Sequence, residues 1–291
     1  DRKLEITWAA ISRVDCIDHE MLRAMRMAGC IQISFGVESG SESIRDQLNK
    51  KFSEEQIQRA FNLTVSYGIL ARAYIIYGCP GENPETVNDT IRLLRDIRPL
   101  VTIFYVLSVF PGTFLYDFFK TQTGATDDIW LYYKEDLFLF EIDKRLCAET
   151  VSQFGKSLKK AVEASIPDFI HSLQLVDDKE LYPSHAGFLS RLAVTLDQGD
   201  YPHALPDGLA QDLARKLYNK ALEYAPDARS YWGLGLLAQA EGDDRKAEAI
   251  LEKGLQMFPE DAILARVLHT TRVRMGKEKE IELTKKATQS R

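Results

Sequence analysis

Residues 30–43, CIQISFGVESGSES, run from an apolar stretch into a Gly/Ser turn with a carboxylate at the bend. Ile31–Gly36 reads as a buried strand, and Gly36, Gly40 and the serines read as the loop that leaves it. A carboxylate in that loop argues against a phosphate cradle, which relies on backbone N–H groups and a lysine and would be repelled by Glu38. Two readings stay open for Glu38. It is a turn or cap carboxylate, or it grips a hydroxylated, neutral or cationic ligand, as carboxylates grip ribose hydroxyls. Lys50, at the far end of the turn segment, is either a surface lysine or the partner of a ligand carboxylate.

Outward from this stretch the pattern repeats. Leu4–Ser12, Leu70–Tyr77 and Val101–Phe110 are further strand candidates, and amphipathic stretches separate them. Asp18–Ala28 places Met21, Leu22 and Met25 on one helical face, where methionines serve as core filler. Ser53 and Gln56 form a capping box ahead of Ile57, Phe61 and Val65, and Gly68 ends that helix. Asn83 caps a helix that begins at Pro84 and carries Val87, Ile91 and Leu94. Continuous apolar strands alternating with helices predict βα units on a parallel sheet. In such folds chemistry gathers at the C-terminal strand ends. Here those are Ser12 and Arg13, Gly36–Gly40, Gly78–Glu82 and Phe110–Thr113.

From Ala186 the texture becomes helical only, and it repeats. Ala214, Tyr218, Ala221 and Pro226 share their spacing with Ala247, Leu251, Gly254 and Pro259, with Tyr231, Leu234, Gly235, Ala238 and Gly242 between them. This matches the tetratricopeptide pattern over Ala228–Pro259, with two to three repeats in all. Such repeats bury a shared face and offer a groove to a partner protein.

The chain of 291 residues has 45% hydrophobic and 27% charged residues, as two soluble globular domains would. Its net charge of −6 argues against a nucleic-acid binder. The basic residues near the C-terminus (Arg272, Arg274, Lys277, Lys279, Lys285, Lys286) alternate with acids and read as a solvated helix. No apolar run approaches the ~20 residues of a membrane span. Cys16, Cys30, Cys79 and Cys147 lie far apart without a CxxC pair, which points away from disulfides or a self-contained zinc site and toward a reducing cytoplasm. The expected metal-ligand set of this chain is therefore empty. It opens on Asp1 without a methionine, as a cut fragment does. The histidines (His19, His171, His185, His203, His269) all lie off the strand ends, which weakens the case for an ordinary barrel hydrolase or lyase.

Five segments in order, ITWAAISRVD, EMLRAMRMAGCIQISFGVESGSESIRDQLNKKFSEEQIQRA, YGILARAYIIYGCPGENPETVNDTI, the strand after them and FPGTFLY, resemble the later half of a radical S-adenosylmethionine enzyme. The resemblance covers residues 4 to 119 and is to the class whose barrel follows a cobalamin-binding domain. It implies an α/β partial (β/α) barrel, with Leu4–Ser12 as its third strand, followed by an all-α tetratricopeptide-like domain. The expected organisation is 1–120 partial barrel, 121–183 aromatic-rich helical connector, and 184–291 repeats. The resemblance places Glu38 against the ribose of S-adenosylmethionine and Lys50 against its methionine carboxylate, with Ser12, Arg13 and Tyr74 on cofactor-facing positions. It implies a [4Fe–4S] cluster whose CxxxCxxC ligands are absent from this chain, and cobalamin through an upstream domain. In the family an electron from the cluster cleaves S-adenosylmethionine to a 5′-deoxyadenosyl radical. This chain would hold the cofactor-clasping half without its reactive centre, and would be inactive alone. Cys79 stands in a GxPGE turn where the family generally has an apolar residue, and is read as packed.

Residues 104–140 concentrate aromatics: Phe104, Tyr105, Phe110, Phe114, Tyr116, Phe118, Phe119, Trp130, Tyr132, Tyr133, Phe138 and Phe140. They either seal the barrel's open side or line an apolar substrate pocket. The competing function is a non-catalytic scaffold whose repeats bind a partner protein. The unpaired edge of Leu4–Ser12 further suggests a dimer. The catalytic residues and the substrate are not legible.

Overall fold

The computed structural model describes residues 6–132, 146–199 and 201–276. They belong to two compact units, Asp1–Gln174 and Leu175–Arg291.

In the first unit four strands, β1 (Trp8–Ser12), β2 (Cys30–Glu38), β3 (Leu70–Tyr77) and β4 (Val101–Val106), form one sheet in sequence order. Every neighbouring pair is parallel. Of the expected strand Leu4–Ser12, Ile6 and Thr7 are not in strand pairing and β1 begins at Trp8, while Leu4 and Glu5 lie outside the described residues. The second is longer than Ile31–Gly36 and carries Glu38 as its last residue. The last stops at Val106, four residues before Phe110. Among the described residues β1 has a strand on one side only, and its Ile11 is 77% exposed.

Helices supply the crossovers that parallel strands require. Asp18 caps α1 (His19–Met27) through Met21 N–H, and buried Leu22 faces inward. The Ser53–Gln56 box opens α3 (Glu54–Ser66), which buries Ile57, Ala60 and Phe61. Asn83 opens α4 (Pro84–Ile97) in a second box with Thr86, and Val87, Leu93 and Leu94 are buried. A short helix that the periodicity does not announce, α2 (Glu42–Gln47), precedes α3. After β4 come α5 (Phe114–Thr123), α6 (Ile129–Tyr132) and α7 (Ala148–His171), the last packed on α4 and the sheet.

The second unit is a succession of helices: α8 (Tyr182–Gln198), α9 (Leu209–Tyr224), α10 (Ala228–Ala240), α11 (Asp244–Met257) and α12 (Ala262–Arg274). Each packs on the next. The approach is close because small residues sit at the crossings. A Cβ built on Gly233 would fall 2.2 Å from Tyr218 Cζ, one on Gly235 2.7 Å from Leu251 Cγ, and one on Gly254 2.6 Å from Tyr231 Cβ. Arg272 pairs with Glu248 and Glu252, and Arg274 with Asp244, so these two terminal cations bind α11. Lys277 and the lysines after it lie outside the described residues.

Candidate functional site

The C-terminal end of β2 is irregular, and the irregularity builds the site. Register with β3 runs one to one up to Gly36 opposite Tyr74, then skips Val37 so that Glu38 faces Ile75. Such a bulge re-aims the side chains that follow it. Glu38 itself has φ 67, a left-handed conformation that a glutamate adopts only under constraint. It is 8% exposed, and its Oε1 lies 2.9 Å from Lys50 Nζ. Gly36 makes the space: a Cβ there would stand 2.5 Å from Glu38 Oε1 and 3.2 Å from Lys50 Nζ. Two residues twelve apart in sequence thus meet as a donor–acceptor pair at a strand mouth.

The loop behind the pair is tightly held. Gly40 N–H donates to Thr90 Oγ1 (2.9 Å), and the hydroxyls of Ser39 and Thr90 are 3.1 Å apart. Gly40 lies so near α4 that a Cβ would be 2.4 Å from Asp89 O and from Thr90 Cα. Buried Arg45 donates from Nη1 to the carbonyls of Ser39 (3.0 Å) and Gly40 (2.7 Å).

The neighbouring strand end carries a second buried acid. Glu82, 6% exposed, accepts a hydrogen bond from Gly78 N–H. Burial pushes its carboxyl up to about 7, against the opposing pull of the Gly78 and Cys79 backbone groups. The Cys79 thiol is pushed up by burial, then by the charges of Glu82 and Glu38, which keeps it protonated. Cys79 packs with Ile44, Leu107, Val109, Tyr116 and Phe119.

Of the residues singled out in the sequence, Glu38 and Lys50 come together. Tyr74 is in register with Gly36 and packs edge-on against Tyr105 at 5.9 Å between centroids. Ser12 and Arg13 turn to local partners instead. Ser12 Oγ donates to Arg13 O at 3.3 Å, and the Arg13 guanidinium clasps Asp15 at 2.9 and 2.8 Å. Ser12 is in register with Phe35, on the face of β2 that is buried against helices. The aromatics divide. Tyr116 and Phe119 are buried with Trp130 against them, and Tyr116 O–H donates to Asp127. Tyr105, Phe110, Phe114 and Phe118 are exposed. Tyr133, Phe138 and Phe140 lie outside the described residues.

One member of the site escaped sequence reading, and two were legible only as strand-end positions. Arg45 sits on a helix too short for periodicity to find. Glu82 follows Pro80 and Gly81, a setting normally solvated. Gly36 reads as an ordinary strand-end glycine until the Lys50 ammonium is found beside it.

Glu38 is able to accept from hydroxyl donors and Lys50 to donate to a carboxylate; in this structure each has the other as its partner. An iron–sulfur cluster is another matter. Among the described residues no three His, Cys, Asp or Glu side chains group so as to hold a metal ion, and the four cysteines are separate and free. Nor is any helix among them long and apolar enough to cross a membrane.

The chain is similar to an uncharacterized methyltransferase of Pyrococcus horikoshii, 27% identical over 191 residues, which is 66% of this chain and 39% of that protein. It is 35% identical over 100 residues to the anaerobic magnesium-protoporphyrin IX monomethyl ester cyclase of Rubrivivax gelatinosus, 34% of this chain and 18% of the cyclase. The matched length is thus well under half of either relative. Among solved structures, a radical S-adenosylmethionine methyltransferase of Kitasatospora setae, with cobalamin and a [4Fe–4S] cluster bound, matches with TM-score 0.39 and 17% identity. That match covers 75% of this chain and 44% of that one. Residues 2–94, which span β1 to β3 and most of α4, match the family model of the Radical SAM superfamily.

Proposed function

We propose that this chain is the S-adenosylmethionine-clasping part of a radical S-adenosylmethionine enzyme of the cobalamin-associated class. The observation that carries the reading is the Glu38–Lys50 pair at the mouth of β2, inside the segment matched by the superfamily model. Glu38 accepts from the ribose hydroxyls, and Lys50 donates to the methionine carboxylate. Tyr74, in register with Gly36, lies beside them. Ser12 and Arg13 stay at the rim on this reading, engaged with their local partners until a ligand arrives. S-adenosylmethionine, when bound beside a reduced iron–sulfur cluster, supplies a carbon radical to the substrate. The thiolates for that cluster, and cobalamin if the protein uses it, come from outside these 291 residues. The four free cysteines are in keeping with a reducing, cytoplasmic setting.

The helices of residues 184–291 are on the same proposal a tetratricopeptide-like module that takes a protein partner. The matched spacing of two repeats supports this, as do the glycine contacts that seat Leu251 on Gly235 and Tyr231 on Gly254. Should the barrel half bind no S-adenosylmethionine in the complete protein, this module becomes the functional part and the barrel its scaffold.

Binding of S-adenosylmethionine by the complete wild-type protein decides between them, and Glu38→Gln then tests the residue that carries the reading. It keeps size and one acceptor while removing charge from hydrogen bonds contributing about 1.5–3 kcal/mol each. In the complete, cluster-loaded protein, equilibrium dialysis should show S-adenosylmethionine affinity lowered roughly tenfold to a few hundredfold. The cluster absorbance should not change. A lower Tm with unchanged affinity would make Glu38 a turn residue only.

A further inference from the structure

Arg45 is 3% exposed, yet among the described residues its guanidinium meets no carboxylate. Nη1 donates to two main-chain oxygens, those of Ser39 and Gly40, and Nε has no partner. Burying a charge on carbonyl oxygens alone is costly, and a neutral donor could close the same turn. What distinguishes this place is what flanks it. Ser39 and Gly40 directly follow Glu38, whose left-handed backbone is unfavourable. The main-chain oxygen of Arg45 in turn accepts the N–H of Lys50 at 2.8 Å, just after Asn49, a second left-handed residue with φ 56. One residue therefore ties both corners from which the pair projects: its side chain holds the Glu38 loop and its backbone holds Lys50.

We propose that Arg45 is the positioning residue of the ligand grip, setting the 2.9 Å separation of Glu38 and Lys50 before any ligand binds. A ligand with vicinal hydroxyls and a carboxylate then meets donor and acceptor already placed, without ordering a loop. The inference rests on Glu38 and Lys50 being the S-adenosylmethionine grip, and its test separates the two claims.

The complete protein is compared as wild type, Arg45→Gln, Arg45→Lys, Glu38→Gln and the Arg45→Gln/Glu38→Gln double variant. S-adenosylmethionine affinity is measured by equilibrium dialysis and Tm by calorimetry. Arg45→Gln should weaken binding about tenfold or more, as expected when a binding group is displaced by a fraction of an ångström. Arg45→Lys keeps the charge but not the forked geometry, and should weaken binding in the same direction. If Arg45→Gln does not fold, Arg45→Lys carries the comparison. In the Glu38→Gln background the Arg45 effect should be clearly smaller than in the wild type, because the charge that Arg45 holds in place is gone. A merely structural role would lower Tm and leave affinity alone, or give effects that multiply; either overturns the inference. If Glu38→Gln itself leaves affinity unchanged, the grip reading falls and takes Arg45 with it. If Glu38→Gln weakens binding and neither Arg45 variant does, only the present inference falls.

Discussion

Glu82 shows how one residue can tie the fold to pH. Its carboxyl sits at about 7 in the folded chain and near 4.5 when exposed, because burial penalises the charged form. The folded state thus holds more protons than the unfolded state between those values, and stability falls as pH rises through that window. Well above 7 the loss is complete, and its upper bound is about 3.4 kcal/mol at 1.36 kcal/mol per pK unit. Glu82→Gln keeps an acceptor for Gly78 N–H but cannot ionise. Urea unfolding at pH 5 and pH 8 should show the wild-type chain losing more stability than the variant over that interval. Equal losses would mean that Glu82 is solvated in both states. Of this residue's properties only its place in a GxPGE turn could be read in advance. Burial is a property of what packs around a turn, and that comes from elsewhere in the chain.

Elements meet at glycines here, and two of them, Gly36 in β2 and Gly40 in the loop after it, should behave differently. At Gly36 an added Cβ would press on the side-chain ends of Glu38 and Lys50, which yield more readily than backbone does. Gly36→Ala should therefore shift Tm by a few degrees at most, the range of about 0.5 kcal/mol, while weakening S-adenosylmethionine binding by spoiling the pair. At Gly40 the Cβ would strike the backbone of α4 at Asp89 and Thr90, which cannot yield unless the helix moves. Gly40→Ala should lower stability by roughly 1–3 kcal/mol, as overpacking does. Calorimetry on the two variants checks the contrast, and the reverse order of Tm losses would refute it. Strands and helices themselves were legible in large part. The capping box at Ser53, the Asn83 cap ahead of Pro84, the apolar face of Asp18–Ala28 and the apolar run Leu70–Tyr77 are local signals, and all four elements stand within a residue or two of where those signals put them. Helix α2 was not legible, because six residues hold too few turns to display a period. The end of β4 was misplaced at Phe110 because a run of apolar residues continues past Val106, where pairing with β3 stops at Tyr77.

On the scale of the whole molecule, the described residues fall into a sheet unit that carries the Glu38–Lys50 pair and a helical unit. Reconstituted anaerobically with iron and sulfide, this chain alone should show no stoichiometric [4Fe–4S] absorbance and no reductive cleavage of S-adenosylmethionine. A full cluster per chain would mean that cysteines lying apart here assemble one. The alternation of strands and helices, the change to helices alone, the caps and the repeat spacing were all present in the linear order of residues. They depend on contacts within a few turns or on a period, and such information survives in one dimension. The Glu38–Lys50 separation, the buried acid at Glu82, the inward Arg45 and the outward Phe114 depend on which distant segments meet. Tyr116 illustrates the point: its hydroxyl donates to Asp127 and accepts from the Trp130 indole, partners that only the closed fold brings to it. Packing selects one partner among several that spacing allows, and the free energies that choose between them are set only when the chain has closed on itself.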